Sequence, residues 1–456
     1  MSFTDFDFLF RFLPVFLLVY YLAPPKARIW VLITGSLFFY GLAGPLFVVL
    51  LFLLSVWNHL LGKGARRGER SALLCGAAVD VLALALAKML GALQGPAFLP
   101  VGMSFYIFRM ISYLADSFRG KMKEEPTFAA SLAYFCLFPQ LLSGPIMRYE
   151  DYGKISAFRD SAPDAGWKTE IRNIFVRVEN GLTWFIPGLA CKVLLADHLR
   201  TLWNALYGIG YESISTPLAW LGVFTYSMEL YFDFWGYSLM AAGIGVMIGL
   251  PMIENFTQPY AAGSVSEFYR RWHVTLGTFF RDYVYIPLGG SRGSTAVTVR
   301  NLALVWLLTG IWHGVGWNYL IWAGALFVMI LVERALRKGP QKAAAVIGRI
   351  HVWVMIPLTW VVFAIPDPER LRTYFLRLFP VADPGGAVFA GDFVKYLTAY
   401  GPVLALSLVF LIPSVYHGFV RHRRSPAAAL ILAGLFAASL ISLRRAGANP
   451  FLYLQF

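Results

Sequence analysis

The chain has 456 residues, 58% hydrophobic and 14% charged, with a mean hydropathy of +0.62 and a net charge of +14. Soluble proteins carry about 25% charged residues, so this composition excludes a soluble globular protein and points to an all-α, polytopic integral membrane protein. The excess of Lys and Arg fits the positive-inside pattern of membrane loops. It does not fit a nucleic-acid-binding protein, because no soluble domain organises the basic runs.

In chain order, the apolar stretches lie at 8–23, 29–61 with a break at Gly41–Pro45, 71–93, 180–196, 217–250, 301–332, 347–365, 399–419 and 426–443. A span needs about 20 apolar residues, which predicts about ten to twelve crossings, some short or broken. Asp5 and Asp7 stand where a signal peptide would be basic, so the first stretch reads as a transmembrane helix. The basic clusters are Lys63–Arg70, Arg334–Lys342 and Arg421–Arg424. Placing them in the cytoplasm puts the N-terminus outside, and the C-terminus too if 426–443 crosses once more. Cys75, Cys136 and Cys191 have neither metal-ligand spacing nor a disulfide framework, and read as small packing residues. The polar stretches 144–179 and 366–398 are too small for an independent core. The whole of 1–456 therefore reads as one membrane domain, with any site built among its helices.

Glu229 and Asp233 lie four residues apart, on one helix face. Intramembrane acids face the protein interior. They either pair with an arginine such as Arg271 or orient a catalytic group. Gly245 and Gly249 have the spacing of a helix-packing motif, and no chemistry is assigned to them.

Ser264 and Glu267 have capping-box spacing and predict a helix running to the Pro287–Gly290 stop. Phe268, Trp272, Leu276, Phe279 and Tyr283 make its apolar stripe; Arg271, Thr275, Thr278 and Asp282 make a polar one. Such a helix lies at the membrane interface or dips into a protein cavity. His273 on it reads as an interfacial residue or as a polar group reaching an internal site. Arg270, Arg271 and Arg281 read as phosphate contacts at the interface or as holders of an anionic donor.

Residues 301–332 contain no Asp, Glu, Lys or Arg, and His313 is their only ionisable group apart from Tyr319. As one helix this run would span about 48 Å, more than a bilayer core of about 30 Å. Gly310, Gly314 and Gly316 bracket His313, which predicts two segments joined by irregular backbone. Such backbone is tolerated at membrane depth only inside protein or against a wet cavity. His313 is thus either a structural histidine bonded to a neighbouring helix or a general base. No P-loop, Gly-x-Ser-x-Gly elbow or metal-type Cys/His cluster is present.

The block Ser266–Gly290, containing Arg270-Arg271-Trp272-His273, followed by Gly310-Ile311-Trp312-His313-Gly314, resembles the membrane-bound O-acyltransferases (MBOAT), and within them the bacterial alginate O-acetyltransferase-like branch. The segments Pro100–Phe108, Phe138–Tyr149, Tyr231–Tyr237 and Asn449–Phe456 support the resemblance, which runs from about residue 30 to the end. It implies a ring of about 10–12 transmembrane helices with re-entrant or interfacial helices around a catalytic tunnel. It implies His313 as the catalytic residue and His273 as the second active-site histidine, which would stabilise the oxyanion or hold the donor. Asp233, Arg271, Trp272, Asp282, Trp312 and Asn318 are the supporting positions, and no metal is expected.

The implied activity moves an acetyl group from a cytoplasmic thioester, acetyl-CoA or a similar donor, across the bacterial inner membrane. The acetyl group is bound for an exported polysaccharide, by way of an extracytoplasmic hydrolase-like acetyltransferase partner. No bound cofactor is implied. The alternatives are D-alanyl transfer to teichoic acid from a carrier-protein thioester, which the sister group performs, and a transporter without chemistry.

Overall fold

A computed structural model of the chain describes residues 1–95, 98–122, 124–152, 167–337, 339–382, 385–447 and 449–452. The middle of the 144–179 polar stretch and the last four residues of the 449–456 segment lie outside the described residues. Within them every regular element is helical. Eight helices are long and apolar enough to cross a membrane: Pro45–Arg66, Arg70–Gln94, Lys168–Ile209, Thr295–His313, Trp317–Leu336, Gln341–Ala364, Asp392–Phe410 and Pro426–Arg445. Phe8–Leu22 is a shorter apolar helix. The chain is an all-α, multi-pass membrane protein.

Several helices break at Pro or Gly. The 29–61 run splits into Pro25–Gly41 and Pro45–Arg66, each with Pro in its first turn, where the missing N–H costs nothing. The 399–419 run splits at Pro413 into Asp392–Phe410 and Pro413–His422. The 217–250 stretch becomes one 32-residue helix, Thr216–Met247. Cys136 and Cys191 are buried and Cys75 is exposed; none is bonded to another.

The chain divides into two compact units. The first comprises Met1–Leu189, Tyr237–Glu254 and Ala446–Gln455. Phe3, Phe8, Phe12, Phe16, Phe39 and Phe138 form its aromatic core. Some of its buried polar groups pair across helices. Arg109 donates to the Tyr134 and Phe135 carbonyls at 2.9 and 2.8 Å. Asn58 donates to Asp80 at 2.9 Å. The close approach expected of Gly245 and Gly249 is made by Gly243 instead, where a Cβ would sit 2.7 Å from the Gly181 carbonyl oxygen. Gly249 has φ +93 and lies at the turn that follows the helix.

The second unit comprises Ala190–Gly236 and Asn255–Arg445. It holds both candidate histidines. Its centre is the antiparallel pair Thr295–His313 and Trp317–Leu336, with Ile356–Ala364 packed on the latter. The last long helices expose most of their apolar side chains, including Leu406, Leu408, Leu430 and Ile431, as lipid-facing helices do.

Gly102, in the Pro100–Phe108 segment, has φ +75, and a Cβ there would collide with the Leu141 carbonyl. Gly102→Ala should therefore cost more than about 2 kcal/mol, read as a lower thermal midpoint in detergent. Gly68 has φ +84 but open space around it. Gly68→Ala should cost only the backbone strain, about 1 kcal/mol. Equal shifts for the two variants would remove Leu141 as the reason.

Candidate active site

Ser264 starts the helix Val265–Arg271 as its capping-box spacing predicts: its Oγ accepts from Glu267 N at 3.1 Å. Glu267 reaches back one residue further than the usual box, its Oε2 accepting from Gly263 N at 2.9 Å. That amide, together with the Arg271 guanidinium at 2.6 Å, holds the Glu267 carboxyl below the usual carboxylate range. Glu333 adds an acceptor at the same helix start. Its Oε1 takes the Val265 N–H at 2.8 Å and lies 3.0 Å from His351 Nδ1. The His273 segment is thereby tied to the helix that follows His313.

The single helix predicted to run from 264 to the Pro287–Gly290 stop is not formed. The chain leaves the helix at Trp272, passes through His273 in the left-handed region (φ +45), and resumes as Val274–Phe280 and a π-turn at Arg281–Tyr285. The interruption has a physical reason. The 255–257 strand of loop offers the backbone other partners: Thr257 N donates to Arg271 O, and Val274 N to Asn255 O, both at 2.9 Å. The predicted apolar stripe survives the break. Phe268, Trp272, Leu276 and Phe279 are all buried, while Tyr283 is half-buried.

His313 is the last residue of Thr295–His313, and residues 314–316 separate it from Trp317–Leu336. The predicted break at the glycines is present. Gly310 lets the two helices meet: a Cβ there would be 3.1 Å from both Ala323 Cβ and the Tyr319 carbonyl. The immediate shell of the His313 imidazole is aromatic. Trp312, Trp322 and Phe363 lie at 4.6, 4.9 and 5.1 Å between ring centroids, and Tyr319 at 6.3 Å. His273 meets Phe234 edge-on at 4.7 Å and Trp312 at 6.3 Å. Both imidazoles, 3% and 8% exposed, therefore border the Trp312 indole. The shell extends from Trp322 to Trp360 at 5.7 Å and from Trp360 to Trp272 at 5.1 Å. Asn318 is buried and donates to the Phe363 carbonyl at 2.8 Å, fixing that wall.

The remaining predicted positions divide. Trp272, Trp312 and Asn318 build the enclosure. Asp233, expected either to pair with an arginine such as Arg271 or to orient a catalytic group, meets a lysine. It accepts from Lys192 Nζ at 2.7 Å, and Lys192 also donates to Asp197 at 2.8 Å. Arg271 pairs with Glu267 and also reaches the Thr257 carbonyl. Asp282 pairs with its neighbour Arg281 at 2.6 Å. Glu229 is buried one turn before Asp233. Among the described residues no group of three or more His, Cys, Asp or Glu side chains is arranged to hold a metal ion.

Sequence reasoning missed two residues. Lys192 is a lone cation in the apolar run 180–196, and that oddity facing two intramembrane acids was a usable signal. Asn255 had none. Its Oδ1 contacts His273 Nδ1 at 3.1 Å, yet it lies 18 residues away in an irregular loop.

Residues 72–369 match the model of the membrane-bound O-acyltransferase family. The chain is 35% identical over 407 residues to a probable alginate O-acetylase of Azotobacter vinelandii, covering 84% of this chain and 79% of that protein. It is 32% identical over 415 residues to a peptidoglycan O-acetyltransferase of Helicobacter pylori, covering 79% and 76%. It is 28% identical over 323 residues to a teichoic acid D-alanyltransferase of Bacillus subtilis, covering 64% and 76%.

Lys192 is fully buried between two carboxylates. Lys192→Met should remove the ammonium that both carboxylates share and cost about 3–5 kcal/mol, seen as a lower thermal midpoint and yield. Asp233→Asn should cost less, because Asp197 still compensates the ammonium. A Lys192→Met protein as stable as wild type would show that the triad adds nothing to the fold.

Proposed function

Because the chain belongs to the membrane-bound O-acyltransferase family, we propose that it is the membrane acetyl carrier of a polysaccharide O-acetylation system, working in the bacterial inner membrane with both termini outside. The donor is a cytoplasmic thioester of the acetyl-CoA type. The immediate acceptor is a hydroxyl on an extracytoplasmic, hydrolase-like partner or on the glycan itself. The relatives named for alginate and peptidoglycan O-acetylation support acetyl and polysaccharide over D-alanine and teichoic acid, whose transferase is the more distant match.

The observation that carries the reading is the pair of buried histidines bordering one indole, within the residues the family model matches. An aromatic enclosure gives a low dielectric, in which hydrogen bonds and charges act strongly. His313 removes the proton of the acceptor hydroxyl as its oxygen attacks the thioester carbonyl. The tetrahedral intermediate collapses, the C–S bond breaks, and the proton on His313 leaves with the thiol. A positioned base contributes about 10²–10⁴-fold. Neither Arg270–His273 nor Gly310–Gly314 contains a serine or cysteine, which favours direct transfer over an acyl-enzyme.

His313→Ala should lower glycan acetylation in cells by about 10²–10⁴-fold at normal expression and thermal midpoint. Retained acetylation would end the general-base role. Purified protein should accept acetyl-CoA or a close analogue; acceptance of only an aminoacylated carrier protein would move the assignment to D-alanyl transfer.

A further inference from the structure

Asn255 determines which nitrogen of His273 carries the proton. Its Oδ1 receives the Thr275 backbone N–H at 3.2 Å and the Thr275 hydroxyl at 2.8 Å. A backbone N–H is always a donor, so the side-chain atom it meets is the amide oxygen and not the NH2. The same oxygen lies 3.1 Å from His273 Nδ1. An oxygen acceptor requires Nδ1 to be the donor. The neutral ring is therefore the Nδ1–H tautomer, with its lone pair on Nε2.

The backbone fixes this arrangement as firmly as the side chain. His273 sits at φ +45, a conformation that costs about 1–3 kcal/mol outside glycine and persists only when its surroundings hold it. Asn255 holds it twice, by its own carbonyl on Val274 N at 2.9 Å and by Oδ1 on the ring. Among the rings against the imidazole are Phe234 and Trp312, which do not titrate, and the titratable His313 follows Trp312. The charged side chains on the adjoining segments are Asp233, Glu254, Glu267, Arg270 and Arg271, of which Asp233 is paired to Lys192 and Glu267 to Arg271.

We propose that Asn255 is a positioning residue that presents His273 Nε2 to the substrates as a hydrogen-bond acceptor. The neutral ring then recognises an O–H or N–H donor other than the attacking hydroxyl, such as an amide of the thioester's pantetheine arm or a neighbouring hydroxyl of the acceptor. It does not stabilise the oxyanion of the tetrahedral intermediate, because that needs an N–H at Nε2. Of the two roles the family resemblance implies for His273, this form fits holding the donor. The substrate assignment rests on the acyl-transfer reading; the tautomer does not.

Two measurements test the proposal. The first is 15N NMR of the full-length protein labelled at histidine, with the His273 signals identified by their loss in His273→Gln. At neutral pH the wild-type ring should show a protonated Nδ1 and an unprotonated Nε2, and Asn255→Leu should abolish that preference. A wild-type ring protonated at Nε2 overturns the proposal, whether or not acyl transfer has been demonstrated.

The second is the pH profile of acyl transfer. Asn255→Asp keeps the acceptor but adds a charge that favours the imidazolium, by about one to three pH units for a close opposite charge. The acidic limb of the profile should move to higher pH by about that amount, with the rate recovering in the alkaline range. Activity that instead rises at low pH would make Nε2–H the useful form and overturn the acceptor role. Asn255→Ala with wild-type rates at every pH would remove Asn255 from the site. If the wild type transfers no acyl group to any acceptor, the acyl-transfer reading fails while the NMR result still stands.

Discussion

A helix interrupted inside a membrane protein must find new partners for the backbone groups it releases. The site of this protein depends on how that is done at Trp272 and His273. The helix stops, and the loop at 255–257 supplies a carbonyl and an N–H to the two edges of the gap. That exchange brings Asn255 against His273. It also sets Trp272 where it can meet Trp360, and through Trp360 the wall around His313. Had the segment stayed a straight helix, His273 would have projected from a regular face with no fixed relation to the loop.

The same economy governs the buried charges. Lys192, Asp197 and Asp233 share one compact arrangement, and Glu333 shares one carboxylate oxygen between a backbone N–H and a histidine. Each joins elements distant in sequence. Such groups are costly to bury alone, so each acts as a registration point: the two helices must align for the charge to be compensated. The aromatic rings supply the bulk of the enclosure, and the polar contacts decide which way it is assembled.

Much of this was legible in the chain. The breaks at Gly41–Pro45 and around His313 follow from proline, glycine and the length a bilayer allows. The Ser264 cap and the buried face of Phe268, Trp272, Leu276 and Phe279 follow from spacing. The interruption at His273 was not legible, since the apolar stripe keeps helical spacing across it and the cause lies in a loop elsewhere. In the sequence the partner of Asp233 stays open between an arginine and a catalytic group, and Lys192 is not among them; Arg271 is already satisfied by Glu267 within its own turn. Local periodicity reports which face is buried; it carries no information about which distant acceptor will claim a released N–H.

On the role proposed for His273, its left-handed backbone sets stability and activity against each other. Glycine or asparagine would occupy that conformation at less cost, so selection for a sturdier protein alone would replace the histidine. On that role, the histidine marks a position where the fold holds strain for the sake of an imidazole. Stabilising changes gathered elsewhere in the chain can be tolerated, while those that relax this turn would exchange function for rigidity.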